Sequence, residues 1–358
     1  MQTTQERAAR TASGVGLSRL VESERAGREA VGAALQAAGV ERADLVLLYA
    51  TIRHDPEALL AGARAAAPGA RIAGCSVQGV SVAGASIEEG AAAAAMAVRS
   101  SELRFEVAVA EGVGADAYAA GRAAGRAVAV GGRPSLVVCH WDPLTGADVD
   151  RLIQGLRTAE TDNVIGGSAA QTWGLAVATW QLAGDRVLRD AVVAVGMHGG
   201  EVLIDTSHGA EPTGVEMKVT RASANVLQEI DGRPALDVWN EMTGGDGTLR
   251  SEAVGSWLLG VRPPERLPAH YGGCLTRIVL GVDAVTGSVV VGSAVPVGST
   301  VYLYRRSPEA VVEGARALAR RLSERLAGRR PRFALGFECG GRTAPFLGTE
   351  AARAEADD

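Results

Sequence analysis

The chain has 358 residues, 47% hydrophobic and 22% charged, with a net charge of −5. That balance excludes an intrinsically disordered chain and supplies length for two or three domains with buried cores. With no basic excess, nucleic acid has no electrostatic footprint here, and the longest apolar run, Ala91 to Val98, is far too short to span a bilayer.

The polar start, Met1 to Gly16, lacks the apolar core of a secretion signal, so residues 1–20 are expected to be disordered and the protein cytoplasmic. Ser23 to Ala38 reads as an amphipathic helix with Ser23 as N-cap and Gly39 as its stop. The apolar run Leu45 to Tyr49 then leads through a helix starting near Pro56 to the turn Gly74-Cys75-Ser76, and on to the strand Ala91 to Val98. A strand at Leu103 to Ala110 and an alanine-rich helix at Ala115 to Val130 follow. The pattern then repeats: Leu136 to Cys139 leads through a helix after Leu144 to Gly166-Gly167-Ser168, and then to Ala191 to Met197. Cys75 and Gly167 are 92 residues apart, and Leu48 and Val138 are 90 apart. One β-α-β unit is used twice, each copy ending its second strand in a glycine turn that can bring backbone close to a ligand.

From Gly174 to Thr206 the pattern is a meander with hairpin signals at Gly184-Asp185 and Gly199-Gly200. The glycines and proline of His208 to Gly214 mark the end of a first domain, residues 21–214. A second, residues 215–348, is expected to hold helices at Ala222 to Ile230 and Pro234 to Thr243, then a loop at 244–247. Strands follow at Leu275 to Val282, Ser288 to Val295 and Thr300 to Tyr304, then a helix from Pro308 to Ala327 and a last strand from Phe333 to Phe337. Cys339-Gly340-Gly341-Arg342 is a third echo of the glycine turn, and 349–358 is an acidic, disordered tail. The fold class is α/β: a two-domain, mixed-sheet architecture with a repeated β-α-β unit in the N-terminal half and a β-meander plus helices in the C-terminal half.

The chemistry is narrowed mainly by missing motifs. Cysteines 75, 139, 274 and 339 form no CxxC, and no HxxxH or HExxH occurs, so free thiols are expected rather than a zinc site. A nucleophile elbow at Cys75 to Gly79 fails because Gln78 stands where glycine is required. No GxGxxG opens a helix after the first strand, and no P-loop lysine is present. The arginines between Arg316 and Arg332 form the solvated face of an amphipathic helix. Cys75 reads either as a small packing side chain or as a reactive thiol. Arg342, beside Cys339, can favour a thiolate there or hold an anionic ligand through its guanidinium fork. Of the histidines, His208 lies in an irregular segment suited to presenting a side chain to a ligand or haem iron, and His54 is the second choice. His198 reads as an exposed turn residue, and His140 and His270 as packing residues.

Taken together, Ile72 to Ser76, Val164 to Ala169, Ser207-His208-Gly209, Pro212-Thr213-Gly214, Val226 to Leu236, Arg277 with Val279 to Asp283, and Cys339 to Arg342 resemble the FIST family, over about residues 44–348. The resemblance implies an intracellular ligand-binding sensor, with amino acids among the suggested ligands. Gly74, Cys75, Ser76, Gly166, Gly167, Ser168, Cys339 and Arg342 would then surround the ligand. Some stand-alone members look like nitric-oxide sensors that bind haem and act on a partner histidine kinase. In this chain such a haem b would be non-covalent, because no CxxCH occurs, with His208 or His54 on the iron. An enzyme working through haem or a reactive cysteine is the alternative, as is an amino-acid sensor without haem. No nucleic-acid or membrane partner is expected.

Overall fold

The computed structural model describes residues 11–82, 84–171, 178–245, 256–262, 273–342 and 344–348. It divides into one unit of residues up to Val202 plus Arg330–Glu338, and a second of Leu203–Arg329 with the residues from Cys339 onward.

The first unit runs β1 (Thr11–Ser18), α1 (Ser23–Ala38), β2 (Leu45–Thr51), α2 (Pro56–Ala66), β3 (Arg71–Val77), the hairpin β4 (Val80–Val82) and β5 (Ala85–Ile87), and β6 (Ala93–Ser100). It continues with β7 (Arg104–Glu111), α3 (Ala117–Val128), β8 (Leu136–Trp141), α4 (Val149–Leu156), β9 (Val164–Gly166), β10 (Gln181–Ala183), β11 (Arg186–Leu188) and β12 (Ala191–His198). Strand order in one sheet is β1-β6-β2-β3-β10-β11, and in the other β7-β12-β8-β9. Replacing β1, β6, β2 and β3 by β7, β12, β8 and β9 turns the first four strands of the larger sheet into the order of the smaller, with the parallel pair in the same place each time; β10 and β11 extend the larger sheet alone. The repeat expected from the sequence is therefore a duplicated fold.

Alternation of side chains along each strand decides the layering. Val46, Leu48, Ala50 and Ile72 face α1 and α2 in one core. Val137, Cys139, Val192 and Ala194 belong to the core with α3 and α4. The other faces of the two sheets meet each other, where β3 and β10 contact β7 and β12. Each of these four helices begins on an acidic cap: Glu22, Asp55, Asp116 and Asp148 accept backbone N–H bonds of the first turn. Glu22 thus replaces the expected Ser23, whose hydroxyl instead accepts from the Asp55 N–H.

The second unit runs β13 (Ala210–Ser223), β14 (Val226–Ile230), β15 (Arg233–Pro234), α5 (Ala235–Thr243), β16 (Trp257–Val261), β17 (Leu275–Asp283), β18 (Ser288–Val291), β19 (Thr300–Arg306), α6 (Pro308–Leu326) and α7 (Ala344–Leu347). The antiparallel order β13-β19-β16-β17-β18-β14 closes through the β13–β14 pairing into a barrel. Leu259, Val291 and Leu303 fill it, with Val238 and Trp239 of α5 in the same core. Closure leaves β13 and β14 without a free edge.

Four expectations are corrected. Residues 11–18, polar and glycine-bearing, read as disorder but form β1, because Gly14 and Gly16 let α1 lie on the strand: a Cβ at Gly16 would stand 2.1 Å from the Ala30 carbonyl oxygen. Residues 222–230 form a hairpin rather than a helix, turning at Ala224, whose φ is 50°. The domain border expected at 214/215 falls inside β13, where the Pro212 to Glu216 irregularity is absorbed as a shift of register. Residues 333–337 form no strand.

Candidate functional site

In the first unit, β2, β3 and β10 place Tyr49, Cys75 and Gln181 in one row across the sheet. Tyr49 turns away from the helices, and its hydroxyl lies 3.0 Å from Nε2 of His140 on β8. The other ring nitrogen, Nδ1, is 3.1 Å from the Gly167 carbonyl. A carbonyl only accepts, so Nδ1 carries the proton and Nε2 accepts from the tyrosine, an assignment made from the bonding pattern. Tyr49 and His140 are 91 residues apart and hold the same position in the two copies. The Phe337 ring sits beside them, 5.9 Å from His140.

Burial keeps this layer uncharged at neutral pH. It lowers His140 to about 4, outweighing the opposing pull of the Gly167 bond. It raises Tyr49, helped by the neighbouring thiols of Cys75 and Cys139, and pushes Cys139 up to about 12. Cys75, 2% exposed, is raised further by burial and then by Cys139. A thiol held protonated in this way is a poor nucleophile, which favours the packing reading of Cys75. Gln181 is fully buried, and neither atom of its side-chain amide has a hydrogen-bond partner among the described residues.

The two glycine turns belong to this unit and are joined. The Ser76 carbonyl accepts from the Ala170 N–H at 2.8 Å, and the buried Ser76 hydroxyl accepts from the Trp180 N–H at 3.2 Å. Gly74 and Gly166 are demanded by the sheet itself: a Cβ would stand 1.8 Å from the Leu48 carbonyl oxygen in one copy and 2.0 Å from that of Cys139 in the other. At Gly167 a Cβ would meet nothing nearer than the Phe337 ring at 4.0 Å. Ser168 is half-buried at the end of the same turn.

The second unit gathers the remaining candidates. Arg342 donates to the Ser207 carbonyl at 3.4 Å, and Arg306 donates to the Gly341 carbonyl at 3.0 Å. Cys339 is exposed, and its sulfur accepts from the Gly341 N–H at 3.5 Å. Burial and then Arg306 lower the His208 pKa. Nδ1 of His208 accepts from the Ala210 N–H at 3.0 Å, which places the ring proton on Nε2. That tautomer does not fit iron ligation through Nε2. His54 is buried against Ser23, and its Nε2 is enclosed without a hydrogen-bond partner among the described residues. His198, expected in an exposed turn, is 7% exposed and bonds the Val128 carbonyl at 3.0 Å, because β12 carries it under α3. His270 lies outside the described residues. Sequence reasoning missed Tyr49, His140 as a site residue, Gln181 and Arg306; aligning the two copies residue by residue would have paired Tyr49 with His140.

The chain thus combines a duplicated α/β unit with a closed antiparallel barrel. The FIST N domain model matches residues 44–233 and the FIST C domain model residues 235–357. The chain belongs to the FIST family, whose domains are small-ligand sensors in signal transduction. It is 32% identical over 164 residues to uncharacterised protein Rv0628c of Mycobacterium tuberculosis, covering 45% of this chain and 43% of that one. It is 37% identical over 81 residues to uncharacterised protein MJ1623 of Methanocaldococcus jannaschii, covering 22% and 15%. The chain thus spans less than half the length of these relatives. A crystal structure of cyanuric acid hydrolase from A. caulinodans aligns at a TM-score of 0.31 and 12% identity, over 55% of this chain and 73% of that one. Among the described residues, no helix is long and apolar enough to cross a membrane.

Proposed function

We propose that this FIST protein senses a small, neutral, polar organic molecule that binds between the two sheets of its first unit, against Tyr49, His140 and Gln181, with Cys75, Gly167 and Ser168 beside it. The observation that carries this reading is the Gln181 amide. Enclosing an amide without partners costs about 1–3 kcal/mol by mutational measures, and a ligand that offers both a donor and an acceptor recovers that cost. The surrounding groups are neutral, so they favour an amide or hydroxyl over a charged group; an amino acid is accommodated with only its uncharged part in this layer. The Tyr49–His140 bond is the natural element to open, since either partner can turn to the ligand.

Gln181→Met keeps the length of the side chain and removes the amide, so the ligand-free variant should be more stable than wild type by about 1 kcal/mol or more. Wild type should gain melting temperature with one or more of acetamide, nicotinamide and glutamine, and Gln181→Met should not. A less stable Gln181→Met would mean that the amide is satisfied in the folded protein and would end this reading.

One observation favours a haem version, in which nitric oxide is sensed and the signal passed to a partner histidine kinase. His140 donates Nδ1–H to a backbone carbonyl, the orientation that leaves Nε2 as a metal ligand. The Tyr49 hydroxyl holds that lone pair, so this version requires a Soret band on haem addition that strengthens in Tyr49→Phe and disappears in His140→Ala. A band lost in His208→Ala instead would restore the sequence-based choice of ligand, and no band at all leaves the neutral ligand.

A further inference from the structure

We infer that residues Arg330–Glu338 form a detachable strap that gates the layer between the two sheets of the first unit, with Phe337 as its bolt, a role that rests on the binding site proposed above for what passes the gate. Cys75, His140 and Gln181 are all buried, so a molecule reaches them only when part of the wall gives way. The strap belongs to the first unit by its contacts.

Its attachment is weak. Among the described residues, one hydrogen bond ties the strap down, from the Ser13 hydroxyl of β1 to the Arg332 carbonyl at 2.6 Å, and no backbone pairing joins it to either sheet. The rest is side-chain packing. Phe333, Leu335 and Phe337 are half-buried, whereas Arg332, Ala334, Gly336 and Glu338 are exposed. This is the alternation of a strand with one face on the protein, without the ladder that fixes a strand in place. A segment docked by three half-buried apolar side chains opens at a lower free energy than the sheets beside it.

Phe337 stands where opening matters. Its ring lies 5.9 Å from that of His140, tilted by 48°, and comes within 4.0 Å of the place a Cβ on Gly167 would take. The duplicated fold is asymmetric at this point. In the larger sheet β10 continues beyond β3 and pairs Gln181 with Cys75, whereas in the smaller sheet no described strand continues beyond β9, and Phe337 stands over Gly167 instead. When the strap lets go, the layer opens beside His140 and Gly167, and a small polar molecule gains a route to Tyr49 and Gln181.

Two buried cysteines supply the test and its control. Cys75 lies in the row with Tyr49 and Gln181, whereas Cys139 is packed in the core with α3 and α4. Burial holds both thiols protonated, and water admitted by an open strap relieves that burial for Cys75 alone. The full-length protein is treated with iodoacetamide at pH 8, and labelling of each cysteine is followed by mass spectrometry. Phe337→Ala removes the ring over the site, and Phe333→Ala loosens the strap four residues away. Each should label Cys75 about tenfold faster than wild type, as loss of a half-buried ring from a locally opening segment predicts, and leave Cys139 unchanged. Equal acceleration at Cys75 and Cys139 would mean a general loosening of the first unit and would overturn the gate. So would unchanged labelling in both variants, or acceleration in Phe337→Ala alone, because a single side chain rather than a strap would then close the layer. If either variant fails to fold, as judged by circular dichroism, trypsin decides in wild type. Cleavage after Arg332 at urea concentrations well below the unfolding midpoint, followed by faster labelling of Cys75 than of Cys139 in the cut protein, is the expected result. Cleavage only with global unfolding, or cut protein in which Cys75 stays unlabelled, would overturn the strap. None of these measurements uses a ligand, so Gln181→Met can end the neutral-ligand reading while labelling still decides on the gate.

Discussion

Gly74 and Gly167 look alike in the sequence and differ in what surrounds them. At Gly74 the carbonyl of Leu48 occupies the space a Cβ would need, so Gly74→Ala must push the parallel pair β2–β3 apart. Gly167 has room, and only the Phe337 ring comes within 4.0 Å. Gly74→Ala should therefore cost about 3 kcal/mol or prevent folding, and Gly167→Ala should stay within about 1 kcal/mol of wild type, measured as urea midpoints. Similar losses at both positions would contradict the assignment of the first glycine to the sheet. His140 makes a pH-dependent contribution of definite sign. Its folded pKa of about 4 lies below the ordinary 6.5, so between those values the unfolded chain binds a proton that the folded one refuses. Its share of stability is intact above pH 6.5 and falls as the pH drops toward 4, by about 3 kcal/mol in all. His140→Gln should flatten that part of the stability profile. An unchanged profile would mean that the imidazole protonates freely in the folded state.

At the scale of elements, the duplication extends to the way the helices meet. A Cβ on Gly27 would stand 2.1 Å from the Leu59 carbonyl oxygen, and one on Gly121 would stand 2.2 Å from that of Leu152, so α1–α2 and α3–α4 cross backbone to backbone at equivalent points. Gly27→Ala and Gly121→Ala should each destabilise by about 2 kcal/mol or more. Gly32 lies in the same helix as Gly27, and a Cβ there would meet nothing within 4 Å, so Gly32→Ala should stabilise by about 0.5–1 kcal/mol through helix propensity alone. Thermal melts of the three variants give the comparison, and a stabilised Gly27→Ala would rule out the close crossing. In the second unit, α6 is fixed differently. Arg321 forks onto the buried carboxylate of Asp205 at 2.9 and 3.0 Å, so part of the arginine stripe that reads as a solvated face is a clasp on residues 204–206.

For the molecule as a whole, chain order and spatial order part company. The chain leaves the first unit at Val202, builds the barrel and α6, and returns for Arg330–Glu338, where the Arg332 carbonyl accepts from Ser13 and Phe337 reaches the His140 ring. The family border near residue 233 falls in β15, within the second unit's sheet. A fragment of residues 1–233 would carry β13 and β14 without β18 and β19, exposing Met217, Val219, Leu227 and Ile230. It should aggregate, while a fragment of residues 1–202 should give more soluble, monomeric protein on size exclusion. The reverse result would show that β13 and β14 fold as part of the first unit.

What is legible in the sequence rests on local or periodic signals. Strand–helix alternation and a near-constant offset disclose the duplication because both copies bury the same stripe of residues, and the α5 and α6 spans follow from proline starts and amphipathic spacing. The glycine turns are visible too, but their cause is not, since the carbonyl that excludes a Cβ belongs to a strand 26 residues earlier in the chain. Long-range pairing makes residues 11–18 a strand and residues 222–230 a hairpin, because β6 in one case and barrel closure in the other outweigh weak local preference. Packing also decides which histidine matters. Hydrogen-bond partners set a ring's tautomer and its surroundings set its charge: for His140 the partners Gly167 and Tyr49 are 27 and 91 residues away, and for His208 the tautomer is set locally by Ala210 while burial and Arg306 act on the charge.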